Sequence, residues 1–289
     1  MNFINILNHI LRPLEWVVAQ LLTLFHHALV TFGMTAGPSP AWGIAIMCLV
    51  LVIRICLLPL FLSQMRAMQR IQVLQPQIQR IQHKYAARKD PRSKEAMQRE
   101  IMALQQRYNA NPLGSCLPSL IQAPILCSLF YTLQSLPAIA DGNAEPLGGI
   151  DHTMAGDIES SSIFGVRIAD SFGTVASPQS RIIIGVAVAL MCLTLFAIQW
   201  MLIHRNTSKD AMVSPQFRVQ KMTVFVFPAI YVVSGATLPF GVLLYWLTNN
   251  LWNLGQTLCQ LRWFPTPGSA AGERKARRDY EQDNRRRAA

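Results

Sequence analysis

The sequence predicts an all-α integral membrane protein: a five-transmembrane-helix core, a cytoplasmic helical hairpin and an N-terminal amphipathic interfacial helix. Three observations carry that prediction. Of 289 residues, 51% are hydrophobic and only 14% charged, where a soluble domain carries about 25% charged residues. Several apolar runs have the length that spans a bilayer, about 20 residues at about 1.5 Å each for a hydrocarbon core of about 30 Å. The segments between those runs hold ten, one, four and no Lys/Arg in turn. Lys and Arg collect in short cytoplasmic loops. The two richer loops and the C-terminus are therefore placed in the cytoplasm and the N-terminus outside.

Residues 1–40 read as the amphipathic, interfacial segment. Apolar residues from Phe3 to Leu29 recur near helical spacing, but Arg12, Glu15, Gln20, His26 and His27 interrupt them. A transmembrane span is the alternative. A signal peptide would need a cleaner apolar core and a small-residue cleavage site. Gly37-Pro38-Ser39-Pro40 then breaks the chain.

The first span, 41–61, carries a single formal charge, Arg54. A mid-helix arginine costs at least about 2.5 kcal/mol on insertion scales. Two readings are open. Arg54 snorkels along its stem to the nearer interface, or it faces a wet cavity inside a helix bundle as a positive site.

Residues 62–111 form the cytoplasmic hairpin, with ten Lys/Arg against three acidic residues. Ile71, Leu74, Ile78, Ile81 and Tyr85 make one heptad seam, and Met97, Ile101, Leu104 and Tyr108 the other. Lys89-Asp90-Pro91-Arg92 is the turn, with Asp90 as cap and Pro91 at the first helical position. Pro76 is expected to bend the first arm. The basic charges are either a solvated cytoplasmic face or a docking surface for a partner, ribosomal RNA or anionic lipid.

Asn111 is expected to cap the second span, 112–136, in which Pro118 and Pro124 flank Gln122. A glutamine there suggests a polar or wet inner face, or an ordinary interhelical hydrogen bond. Residues 137–180 are an extracellular loop with six acidic residues against Arg167. The third span is 181–203, the cytoplasmic loop 204–221, the fourth span 222–239 and the fifth 241–262. In the fifth, Trp246, Asn249, Asn250, Asn253, Gln256, Thr257 and Gln260 fall within about 120° of arc. A stripe of that width faces protein or water, not lipid. The tail, 263–289, is basic and expected to be cytoplasmic and disordered.

An arginine without a transmembrane carboxylate, a polar stripe and Gln122 fit one water-filled groove opening to the cytoplasm. The candidate lining residues of that groove are Arg54, Gln122, Trp246, Asn249, Asn250 and Asn253; the resemblance given next implies that they bind substrate. No catalytic residue, metal site or cofactor is expected: the six cysteines sit in or beside apolar runs without metal spacing, and no nucleotide-binding or hydrolase motif stands in a supporting context.

Four stretches in order then resemble the YidC/Oxa/Alb membrane protein insertases: LVIRICLLPL around Arg54, LQPQIQRIQHKY at 74–85, NPLGSCLPSLIQAPI at 111–125 and LPFGVLLYWLTNNLW at 238–252. The resemblance covers 41–262. It implies a five-helix core in a bacterial cell membrane, with a hydrophilic groove open to the cytoplasm and to lipid. It implies that Arg54 attracts acidic residues in the substrate's extracellular segment. Gln122 and Trp246 would line the groove and touch the nascent chain, and the hairpin would be mobile and receive substrate. Implied partners are nascent membrane proteins, the Sec translocon, the lipid bilayer and the ribosome, the last through the hairpin and the basic tail. The sequence shows neither the large periplasmic domain of Gram-negative members nor a lipoprotein signal, which suggests a bacterial form with a short N-terminus, actinobacterial in type. Two other classes remain. A small transporter or channel with Arg54 as anion site would show internal repeats, and none is visible. An intramembrane enzyme would need a convergent nucleophile, acid or metal set inside the spans.

Overall fold

The computed structural model describes residues 3–87, 90–110, 113–209, 211–213 and 215–288. Ten helices are described: α1 (Phe3–Thr31), α2 (Pro40–Cys56), α3 (Leu58–Tyr85), α4 (Pro91–Arg107), α5 (Leu113–Ala140), α6 (His152–Ser160), α7 (Pro178–Arg205), α8 (Pro215–Thr237), α9 (Phe240–Trp263) and α10 (Ala270–Ala288). A two-residue-per-strand antiparallel hairpin, β1 (Ser162–Ile163) and β2 (Val166–Arg167), lies between α6 and α7. The chain divides into two compact units. One comprises Met1–Leu57, Ser119–Thr194 and Pro228–Trp252, the other Leu58–Pro118, Leu195–Phe227 and Asn253–Ala289. The expected cap Asn111 and turn residue Lys89 lie outside the described residues.

In the first unit, α2 starts where its sequence says it should. Ser39 is the N-cap, its hydroxyl accepting from the Ala41 N–H at 3.3 Å, and Pro40 supplies a pre-set φ. The single helix expected over 41–61 is not found. α2 ends at Cys56, Leu57 caps it by donating to the Ile53 carbonyl at 2.9 Å, and α3 begins at Leu58. Pro59 is the cause, because it has no N–H to donate to the Ile55 carbonyl four residues back and its ring crowds that carbonyl.

Among the described residues, four helical stretches are long and apolar enough to cross a membrane: Leu11–Thr31, Ile121–Ala140, Pro178–Arg205 and Val219–Thr237, with the broken α2–α3 pair as a fifth. This set differs from the expected one at both ends. α1, read from its sequence as interfacial, passes. α9, read as the fifth span, does not, because its asparagines and glutamines lower its mean hydropathy. α1 packs on α2 through a buried core containing Val18, Ala19 and Leu22. The His26 ring stacks on Trp42 at 3.8 Å between centroids.

The acidic segment 137–180 is folded rather than a plain loop. Asp151 caps α6 by accepting from the Met154 N–H at 2.8 Å, which together with the Thr153 hydroxyl holds its carboxyl below the usual range. Ile150, Ile158, Val166 and Ile168 are buried beneath it. The start of α9 is tied to this segment: Phe240 N–H donates to the Asp170 carbonyl at 2.7 Å and Gly241 N–H to that of Ile168 at 2.9 Å. Gly241 permits the approach. A Cβ there would stand 2.7 Å from Ile168 Cγ2 and 3.1 Å from Leu133 Cδ1.

In the second unit, α3 and α4 pack through Leu74 and Ile78 with Ile71, Ile101, Leu104 and Ala110. Asp90 caps α4, its carboxylate accepting from the Ser93 N–H at 2.8 Å, with Pro91 next. The tail expected to be disordered is helical from Ala270 to Ala288. Three features of the sequence favour that helix. The Ser269 hydroxyl accepts from the Gly272 N–H at 3.1 Å. Glu273 sits in the first turn and Arg285–Arg287 in the last, matching the helix dipole. Glu273/Arg277, Glu281/Arg285 and Asp283/Arg287 have i,i+4 spacing.

Gly241→Ala is expected to lower stability in detergent by about 1–3 kcal/mol through overpacking. Gly185→Ala in α7, where a Cβ would meet nothing within 4 Å, is expected to raise it by about 0.5–1 kcal/mol. Thermal unfolding of both variants checks the pair.

Candidate functional site

The site is built from side chains of α2, α5, α8 and α9 in the first unit. Arg54 lies in the last turn of α2 and is half-buried. Its Nε donates to Asn249 Oδ1 at 2.8 Å, and its Nη2 donates to the same oxygen. No carboxylate pairs with it among the described residues. A hydrogen bond to a charged group is worth about 1.5–3 kcal/mol, about the size of the insertion cost of an arginine. Asn249 therefore offsets the cost of placing the charge without neutralising it.

The next partners lie on the same face of α9. Tyr245, one turn before Asn249, is almost fully buried, and its hydroxyl oxygen accepts from Gln122 Nε2 of α5. Trp246 stacks on Tyr231 of α8 with ring centroids 5.0 Å apart. The Tyr231 hydroxyl donates to Asn250 Oδ1 at 3.4 Å, and Asn250 Nδ2 is buried without a partner among the described residues. The apolar rings thus support a set of uncharged hydrogen-bonding groups around one fixed positive charge.

Five of the six residues singled out from the sequence, Arg54, Gln122, Trp246, Asn249 and Asn250, belong to this set. Asn253 belongs to the second unit, where it lines a cavity with Gln256, Thr257 and Gln260. Sequence reasoning missed Tyr231 and Tyr245. Tyr231 is the one tyrosine in the apolar run of α8, which was a usable signal. Tyr245 precedes the polar stripe by one residue and reads as core until its partner Gln122 is seen. No group of three or more His, Cys, Asp or Glu that could hold a metal occurs among the described residues.

The fold and the site define a helical membrane protein in which a half-buried arginine is held by a neutral amide. The chain belongs to the 60Kd inner membrane protein family, the YidC/Oxa/Alb group, whose sequence model matches residues 34–266. It is 43% identical over 99% of its length to a membrane protein insertase YidC from Bifidobacterium longum, covering 85% of that protein. A Streptomyces avermitilis protein of the same name is 34% identical over 92% of this chain, which spans 61% of it. One from Tropheryma whipplei is 31% identical over 95% of this chain, with 90% of that protein covered.

Asn249→Leu is expected to cost about 1.5–3 kcal/mol of stability by removing the charge-assisted bond. In a double-mutant cycle with Arg54→Leu the two losses should be clearly less than additive. Strict additivity in thermal or denaturant unfolding would mean that the two side chains do not interact.

Proposed function

We propose that this chain is a membrane protein insertase and chaperone that inserts nascent integral membrane proteins and helps them fold, alone or with the Sec translocon. The single observation that supports this most directly is Arg54 held by neutral Asn249. An arginine already paired with a carboxylate would have no charge left for a substrate. One held by an amide keeps its charge, faces a fixed direction and attracts acidic residues in the segment a substrate must carry across. At an effective dielectric of about 20, unit charges about 8 Å apart attract by about 2 kcal/mol, a rate effect of more than tenfold. The substrate's apolar helix is then stabilised by leaving into lipid. No bond is made or broken, so the activity is not enzymatic and needs no cofactor.

In this reading Gln122, Trp246, Asn249 and Asn250 line a wet site beside the nascent chain, and Asn253 extends the polar face of α9. With α1 lying in the interface and α2–α3, α5, α7, α8 and α9 as the spans, the N-terminus lies outside the cell membrane and the C-terminus in the cytoplasm. The basic residues of the α3–α4 hairpin and of α10 face the cytoplasm, where they fit the ribosome.

The test is insertion of single-span proteins whose translocated tails carry zero, two or four acidic residues. Arg54→Ala is expected to slow the acidic-tailed proteins more than about tenfold and the uncharged one little. Arg54→Lys should keep most activity if charge outweighs the planar fork. Asn249→Asp, which neutralises Arg54 without removing it, should behave like Arg54→Ala. Equal rates for wild type and Arg54→Ala across the tail series would overturn the electrostatic mechanism.

A further inference from the structure

The acidic segment 137–180 carries two phenylalanines that its own packing does not use. β1 and β2 pair as Ser162 with Arg167 and Ile163 with Val166, which leaves Phe164 and Gly165 as a two-residue turn. Both have positive φ, +55° and +80°, the pattern of a type I′ turn, which favours Asn-Gly. Phenylalanine is a poor choice there. A bulky side chain is strained in the left-handed region, and this one is 76% exposed. A single exposed apolar side chain is ordinary on a protein surface. One held at a turn whose backbone disfavours it gains nothing from the fold, so what compensates the strain lies outside the chain.

Two contacts fix the level of this turn. Ser180, in the first turn of α7, donates its hydroxyl to the Gly165 carbonyl at 3.0 Å. α7 is long and apolar enough to cross a membrane. Its exposed apolar stripe of Ile182, Val186, Leu190 and Leu193 begins two residues further on, about 3 Å along the axis. At the other side of the hairpin, Ile163 packs on the first turn of α2, where a Cβ on Gly43 would stand 3.3 Å from its Cδ1. The turn therefore sits at the membrane ends of α2 and α7. Phe172, also exposed, repeats the arrangement. The next residue, Gly173, lies against the last turn of α8, where a Cβ would be 3.6 Å from the Ala236 carbonyl oxygen. α8 too is long and apolar enough to span, as far as Thr237.

We propose that Phe164 and Phe172 are a lipid anchor. Both rings lie among the headgroups and upper acyl chains of one leaflet, the outer one in the orientation given above, and hold the segment 137–180 down on the bilayer. The attachment is apolar. Six acidic residues against Arg167 give the segment a negative charge, which anionic headgroups repel rather than attract.

The experiment uses the full-length protein in phosphatidylcholine vesicles, with Phe164→Trp and Phe172→Trp made one at a time. The emission added to that of the wild type is read against lipids brominated high or low on the acyl chain and against aqueous iodide. For a ring about 5–10 Å into the headgroup and acyl boundary, the high bromine should quench at least about twofold more than the low one, and iodide at least about fivefold less than it quenches free tryptophan. Replacing part of the phosphatidylcholine by phosphatidylglycerol should change neither. Iodide quenching equal to that of free tryptophan, with no effect of brominated lipid, would overturn the anchor. Protection from both quenchers would also overturn it and point to a second copy of this chain as the cover. Should a tryptophan variant fail to fold, benzoylphenylalanine at the same position decides: lipid adducts on irradiation support the anchor, and their absence overturns it. None of these readings uses insertion, so the outcome is independent of the insertase reading.

Discussion

The bond from Arg54 to Asn249 is the constraint on which the first unit depends. A guanidinium in an apolar helix must find a partner or water. A carboxylate would satisfy it and cancel it. Asn249 satisfies two of its N–H groups and leaves the charge. That choice has consequences along α9. Asn249 must face α2, so Tyr245, Trp246 and Asn250 share that face and need partners of their own. Gln122 and Tyr231 supply them.

The two units offer different chemistry. In the first, a single positive charge sits among neutral groups, so its selectivity is for charge of the opposite sign. In the second, the cavity lining is charge-free and carboxamide-rich. An insertase must handle many sequences while obeying a topology rule. In the proposed function the Arg54 charge would supply that rule.

Much of this was legible in the sequence because it rests on period and charge. The 3–4 spacing of Ile71, Leu74 and Ile78 with that of Ile101 and Leu104 names the residues that meet in the hairpin core. The polar arc of α9 named Asn249 and Asn250 before any partner was visible. Other features depend on tertiary partners and were not legible. Arg54 and Asn249 lie 195 residues apart, and nothing local says that the two meet. The break at Leu57 was signalled by Pro59, but an apolar run of spanning length outweighed it. The helicity of 270–288 was hidden because composition alone marks a charged tail as disordered, whereas the order of its charges and the Ser269 cap favour a helix. The structure of 137–180 was missed because its buried residues Ile150, Ile158 and Ile168 follow no helical or strand period along the chain.

The most direct measurement is site-specific photocrosslinking from positions 54, 122 and 246, one at a time, to a ribosome-stalled single-span membrane protein with an acidic tail. Crosslinks from all three positions are predicted, with position 54 reaching the acidic segment. Absence of crosslinks from all three, with the protein folded and in the membrane, would contradict the central claim that the Arg54 cluster receives the nascent chain.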